Sequence, residues 1–149
     1  MSRKYSKKLL PQYVCSCKGL CIPNPDGIAV YGYVIHAVRT QEWVNDGRGL
    51  IGVGRGMTTN RAEYGAIIQG LKAMVAMGLT QKVVEVCSDS QVCANQLKGD
   101  YKVKDPELLP YWKAAHDLAQ SFPFVIFTWI PGKQNPSAGI SRLAYQEKL

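Results

Sequence analysis

What most limits how this chain can fold is a change of hydrophobic period part-way along it. Up to Arg55 the apolar residues follow the two-residue rhythm of β-strands, and from Asn60 they recur at helical spacing. Tyr13 to Gly19 predicts a first strand, with Val14, Ser16 and Lys18 on one face and Cys15 and Cys17 on the other. The stretch Ile22-Pro23-Asn24-Pro25-Asp26-Gly27 is turn-forming, and Ile28 to His36 reads as a second strand. Asn45-Asp46-Gly47 predicts a hairpin turn into a third strand, Leu50 to Arg55.

Beyond that point the elements alternate. Asn60, with Glu63 three residues later, gives a capping-box start to a helix that carries Ala62, Ala66, Ile67, Leu71, Met74 and Val75 and stops at Gly78. Lys82 to Cys87 predicts a buried strand, and Ser88 or Asp89 opens a second helix with Val92, Cys93, Gln96 and Leu97. Gly99 to Lys104 is a connector and Pro106 begins a third helix. Phe122 to Ile130 is a fifth strand, and Pro136 begins a last helix. Three hairpin-linked strands followed by right-handed crossovers predict an α/β fold. Its five-stranded mixed sheet has its first three strands antiparallel and helices on both faces.

With 149 residues, 46% of them hydrophobic, the chain is expected to form one domain, residues 12–149, behind a basic arm at 1–11. No apolar run approaches the roughly 20 residues of a membrane span. The basic start has no apolar signal core, so an intracellular location is expected, with cytoplasm, nucleus and organelle left open. Cys15, Cys17 and Cys21 form a C-x-C-x3-C cluster. Without a Cys-x2-Cys pair or a nearby His it reads as buried thiols rather than a zinc site. His36 and His116 read as structural. The net charge of +7 favours polyanionic partners.

Four segments in order then carry a resemblance: Asn60-Arg61-Ala62-Glu63, Ser88-Asp89-Ser90-Gln91, Gly99 to Lys104, and Pro131-Gly-Lys-Gln-Asn135-Pro-Ser-Ala138. Together they resemble the type 1 ribonuclease H family over roughly residues 13–146. The resemblance implies four carboxylates around two divalent ions, with Glu63 and Asp89 as retained catalytic and metal positions. Aligning Asn24-Pro25 with the family's Asn-Pro puts Lys18 at the acid that bridges the two ions. The last acid normally follows the Ala that Ala138 matches, which places Gly139 there. These two departures are anchored at opposite ends of the chain.

Hydrolysis by two ions about 3.5–4 Å apart needs several anionic ligands at once. A lysine at the bridging position removes a ligand and adds a positive charge, so Lys18 is expected to pair with Glu63 or Asp89 as their counterion. The resemblance implies nucleic-acid contacts from Asn24, Thr59, Asn60, Arg61, Lys102, Lys104 and Lys133, with RNA/DNA hybrid or structured RNA as partner. The expected function is binding without cleavage and without a cofactor. Two alternatives stand beside it. One is a residual Mg2+- or Mn2+-dependent hybrid ribonuclease rebuilt with Asp26 or Asp100, and the other is a protein-interaction domain.

Overall fold

The computed structural model describes residues 10–149, so residues 1–9 of the expected basic arm lie outside the described residues; within it, Leu10 is exposed and Pro11 buried. Tyr13–Ile22 (β1), Ile28–Ala37 (β2) and Trp43–Val53 (β3) form an antiparallel meander. Val83–Ser88 (β4) joins β1 in parallel and Phe124–Trp129 (β5) joins β4, which gives the order β3-β2-β1-β4-β5. The helices are Thr59–Ala76 (α1), Gln91–Lys98 (α2), Leu109–Ala119 (α3) and Ala138–Gln146 (α4), the last preceded by a 3-10 turn at Gly132–Gln134. This is the expected mixed sheet. No helix among the described residues is long and apolar enough to cross a membrane.

The alternation along β1 sorts the layers. Cys15 and Cys17 face α1, whose Ile67, Leu71 and Met74 close over them together with Val84 and Val86 of β4. Each such aliphatic side chain stabilises the fold by roughly 1.5–3 kcal/mol when fully buried. On the opposite face α4 crosses β2 with the Ser141 backbone against Gly32, so helices cover both faces. All five cysteines are buried and none is in a disulfide among the described residues, and Cys21 sits in a separate apolar cluster with Ala29 and Ala62.

Several local expectations are corrected. Asn45, Asp46 and Gly47 do not turn. They lie within β3 opposite Ile35, Val34 and Tyr33, and the hairpin reverses at residues 38–42, where Gln41 has φ of 62° and the Ala37 N–H donates to the Glu42 carbonyl at 2.9 Å. The Tyr33 ring lies over Gly47, where a Cβ would come within 2.4 Å of it. Gly47 is therefore the bed of an aromatic ring, a cross-strand use of glycine that outranks its turn propensity.

The cap of α1 is Thr58, whose Oγ accepts from the Arg61 N–H at 3.1 Å, rather than Asn60. The helix starts early because Asn24 Oδ1 takes the Thr59 N–H at 3.1 Å, and Glu63 is thereby buried instead of capping. Ser88 stays in β4 and Ser90 caps α2, accepting from the Cys93 N–H at 3.2 Å. Neither Pro106 nor Pro136 begins a helix. The third starts at Leu109, with Pro110 in the first turn where its missing N–H costs nothing, and the fourth at Ala138.

The approach of α1 to β1 depends on Gly19. A Cβ there would lie 2.1 Å from the Ala62 carbonyl carbon and 2.3 Å from the Glu63 nitrogen, and both are backbone atoms that cannot turn aside. Gly19→Ala is expected to lower unfolding free energy by about 3 kcal/mol, read from the urea midpoint. A midpoint equal to that of the unchanged chain would contradict this packing.

Candidate functional site

The parallel register of β1 and β4 sets Cys17 opposite Ser88, so the next residues, Lys18 and Asp89, lie level at adjoining strand positions. The close crossing at Gly19 brings the first turns of α1 to the same point and aims Glu63 inward. The result is a three-way ion cluster. Lys18 Nζ lies 3.2 Å from Glu63 Oε1 and 3.1 Å from Asp89 Oδ1, where it donates a hydrogen bond. The sequence suggested either partner, and the structure supplies both.

The cluster is largely sealed. Glu63 is 2% exposed and Asp89 10%. Ser88 Oγ lies 3.5 Å from Glu63 Oε2 and accepts the Ser90 N–H, while Trp129 Nε1 donates to the Asp89 carbonyl at 3.1 Å. Asn135 Nδ2 donates to the Cys17 carbonyl at 2.9 Å and Asn135 Oδ1 accepts from Ser137, which fastens the segment before α4 beside Lys18. Sequence motifs included Asn135 without showing this role, and gave no sign of the Ser88 and Trp129 contacts.

Gly139 sits exposed in the first turn of α4. A Cβ there would be 3.8 Å from an Arg142 guanidinium nitrogen, so a cation neighbours this position as well. Asp26 Oδ1 accepts the Gly56 N–H at 2.8 Å and Asp100 pairs with Lys98 at 3.5 Å. Among the described residues no group of three or more His, Cys, Asp or Glu could hold a metal ion. The donor set does not fit the family's Mg2+ pair. The two carboxylates share an ammonium on their facing oxygens, and displacing it sacrifices on the order of 4 kcal/mol per contact at an effective dielectric near 20.

Of the residues expected to contact nucleic acid, Thr59 and Asn60 begin the helix that carries Glu63. Asn24 and Thr59 are joined by their hydrogen bond, with exposed Asn60 next in the helix. Lys133 is exposed and follows Gly132, where a Cβ would be 3.4 Å from Asp89 Oδ2. Lys102 and Lys104 are exposed in the connector after α2. Arg61 is turned elsewhere, with Nη2 2.8 Å from Glu107 Oε2 and its guanidinium 5.9 Å from the centre of the Tyr111 ring.

Burial pushes the Glu63 carboxyl up to about 7; Asp89 adds to the rise, while the Lys18 ammonium and the Gly19 backbone oppose it. Burial alone would pull the Lys18 ammonium down, but the two carboxylates outweigh it and hold lysine above its usual value. Lys18 thus stays charged where Glu63 titrates. A carboxyl raised on folding stabilises the protein fully below its ordinary value near 4.5, and that contribution is lost as pH rises through about 7. The unfolding free energy is expected to drop by on the order of 3 kcal/mol over that window from Glu63 alone. Glu63→Gln should flatten that part of the profile in chemical denaturation at a series of pH values. An unchanged profile would contradict the assignment.

With this geometry in hand, the comparisons with known proteins are consistent. A family model described as reverse transcriptase-like matches residues 26–141. The bifunctional protein Rv2228c of Mycobacterium tuberculosis is 34% identical over 115 residues, covering 77% of this chain but 30% of that protein, so the chain spans under a third of that relative's length. RNase H1 from the halophilic archaeon Halobacterium salinarum superposes with a TM-score of 0.81 at 28% identity, over 91% of this chain and 98% of that one. LC11-RNase H1, solved with an RNA/DNA hybrid, gives a TM-score of 0.81 at 25% identity, over the same 91% and 98%. Family model, sheet order and neighbours agree: this chain belongs to the reverse transcriptase-like family and folds as a ribonuclease H domain.

Proposed function

We propose that this ribonuclease H domain binds RNA/DNA hybrid or structured RNA and does not hydrolyse it by the family's two-metal route. The observation that carries the reading is Lys18 Nζ within 3.2 Å of Glu63 and 3.1 Å of Asp89. A tethered ammonium there competes with a divalent ion at every approach, because its own side chain keeps it beside the oxygens the ion needs. Near neutral pH the lysine charge is balanced by Asp89 and a Glu63 close to half-ionised, so the cluster is within about one charge of neutrality without metal.

Binding does not need the metal. Asn24, which is tied to the Thr59 N–H, and exposed Asn60 leave side-chain amide groups at the start of α1 suited to sugar edges, where the 2′-hydroxyl distinguishes RNA from DNA. Lys102, Lys104 and Lys133 are exposed cations for phosphate. The hybrid held by LC11-RNase H1, at 25% identity, supports this choice of partner.

A labelled hybrid incubated with the chain in Mg2+ or Mn2+ is expected to remain intact while being bound, and binding is expected to persist in EDTA. Cleavage that Glu63→Gln abolishes would overturn the reading in favour of a residual nuclease. Activity appearing in the double change Lys18→Asp, Gly139→Asp would support the positions assigned to the two lost acids. Binding should weaken steeply with salt, and Lys102→Ala with Lys104→Ala should reduce the slope of log affinity against log salt by roughly two. No affinity for hybrid or RNA at low salt would instead favour a protein-interaction role.

A further inference from the structure

The strand β3 forms one margin of the sheet, and among the described residues its outer side pairs with no other strand. It runs for 11 residues without proline or lysine, and the register shifts in its pairing with β2 fall near the two ends, between Ala29 and Val30 and between Ile35 and His36. Its middle is regular, and exposed regular edges of this length are templates for another strand.

The sequence of that edge, Val44-Asn45-Asp46-Gly47-Arg48-Gly49-Leu50, is complementary to itself when reversed about Gly47. Antiparallel pairing of two copies about this centre sets each Asp46 against the other copy's Arg48, and each Val44 against the other's Leu50. Asp46, Arg48 and Leu50 alternate within the regular stretch and project from one face, while Val44 stands at the register shift between Asn45 and Trp43; all four are exposed, Val44 at 40% and Leu50 at 43%. Charges that would repel a foreign edge cancel against a second copy. Parallel pairing would instead stack like charges, so the pattern selects the antiparallel arrangement.

Asp46 and Arg48 also have contacts within the chain that the pairing does not depend on. Trp43 Nε1 donates to Asp46 Oδ2 at 3.0 Å, and Glu147, which caps the end of α4, accepts from Nε and Nη2 of Arg48 at 2.9 and 3.0 Å. A guanidinium carries five N–H donors, so Arg48 retains capacity for a further carboxylate. Leu143, one turn before Glu147 on α4 and 45% exposed, extends the apolar strip at this margin. At the centre two glycines meet, and no side chain stands between the strands.

We propose that a second copy of this chain docks here, the two β3 strands pairing about Gly47 into a continuous ten-stranded sheet. The two-fold axis is perpendicular to the sheet and places both α4 helices on one face. The Lys18 cluster lies two strands inward, so each copy keeps its own.

Sedimentation equilibrium of the full chain over a concentration series is expected to show association to twice 16.5 kDa. Asp46→Arg alone and Arg48→Asp alone each oppose like charges at both pairs and should weaken association tenfold or more. Mixing the two variants sets a copy with arginine at both positions against a copy with aspartate at both, and should restore the double mass. Glu147→Ala, which removes only the contact within one chain, should leave association intact. Circular dichroism establishes that each variant is folded. A monomer at all concentrations, single reversals without effect, or folded variants that fail to associate on mixing would each overturn the proposal.

Discussion

The contact of Lys18 with Glu63 and Asp89 ties together three elements that share no sequence neighbourhood. It links the middle of β1, the buried side of the first turns of α1 and the end of β4. Its geometry is inherited from packing rather than made by the charges. Gly19 lets α1 approach the strand, the parallel register levels Lys18 with Asp89, and Asn135 fastens the segment before α4 to the Cys17 carbonyl. Breaking a buried charge cluster by removing one partner generally costs about 3–5 kcal/mol, because the remainder is left uncompensated. The lysine is therefore as much a part of the fold as of the site.

Much of this architecture was legible in the sequence, and the exceptions share a cause. Strong local periodicity gave the order of strands and helices, and the motif around Asn60 to Glu63 located the helix that delivers the acid. Local rules failed where a distant residue decides the outcome. Asn45-Asp46-Gly47 has the composition of a hairpin turn, yet Tyr33 on the next strand needs Gly47 as a flat bed. Asn60 and Glu63 have capping-box spacing, but Asn24, 35 positions earlier, captures the Thr59 N–H and moves the helix start back. The Asn135 link to Cys17 spans 118 positions and leaves no local pattern to read.

The electrostatics at positions 18 and 139 point the same way. Lys18 occupies the space between two carboxylates, and Arg142 neighbours the place where a side chain at position 139 would begin. A site for paired divalent ions concentrates negative charge and exposes it to solvent and substrate. Here Glu63 is buried, its carboxyl is pushed toward neutrality, and the surrounding cations are the chain's own. At the margin of the cluster Asn24 and Thr59 meet at the start of α1 beside exposed Asn60, and Gly132 lies next to the Asp89 carboxylate.

The claim beneath this account is that a lysine ammonium holds the position a divalent ion would need. The most direct measurement follows the side-chain carboxyl carbons of Glu63 and Asp89 by NMR while Mg2+ is added, in the unchanged chain and in Lys18→Met. With the ammonium in place, no saturable shift is expected at either carboxyl in the unchanged chain at millimolar Mg2+, and any response is confined to Lys18→Met. Saturable shifts of both carboxyls in the unchanged chain would mean that the ion displaces Lys18, and would contradict the account.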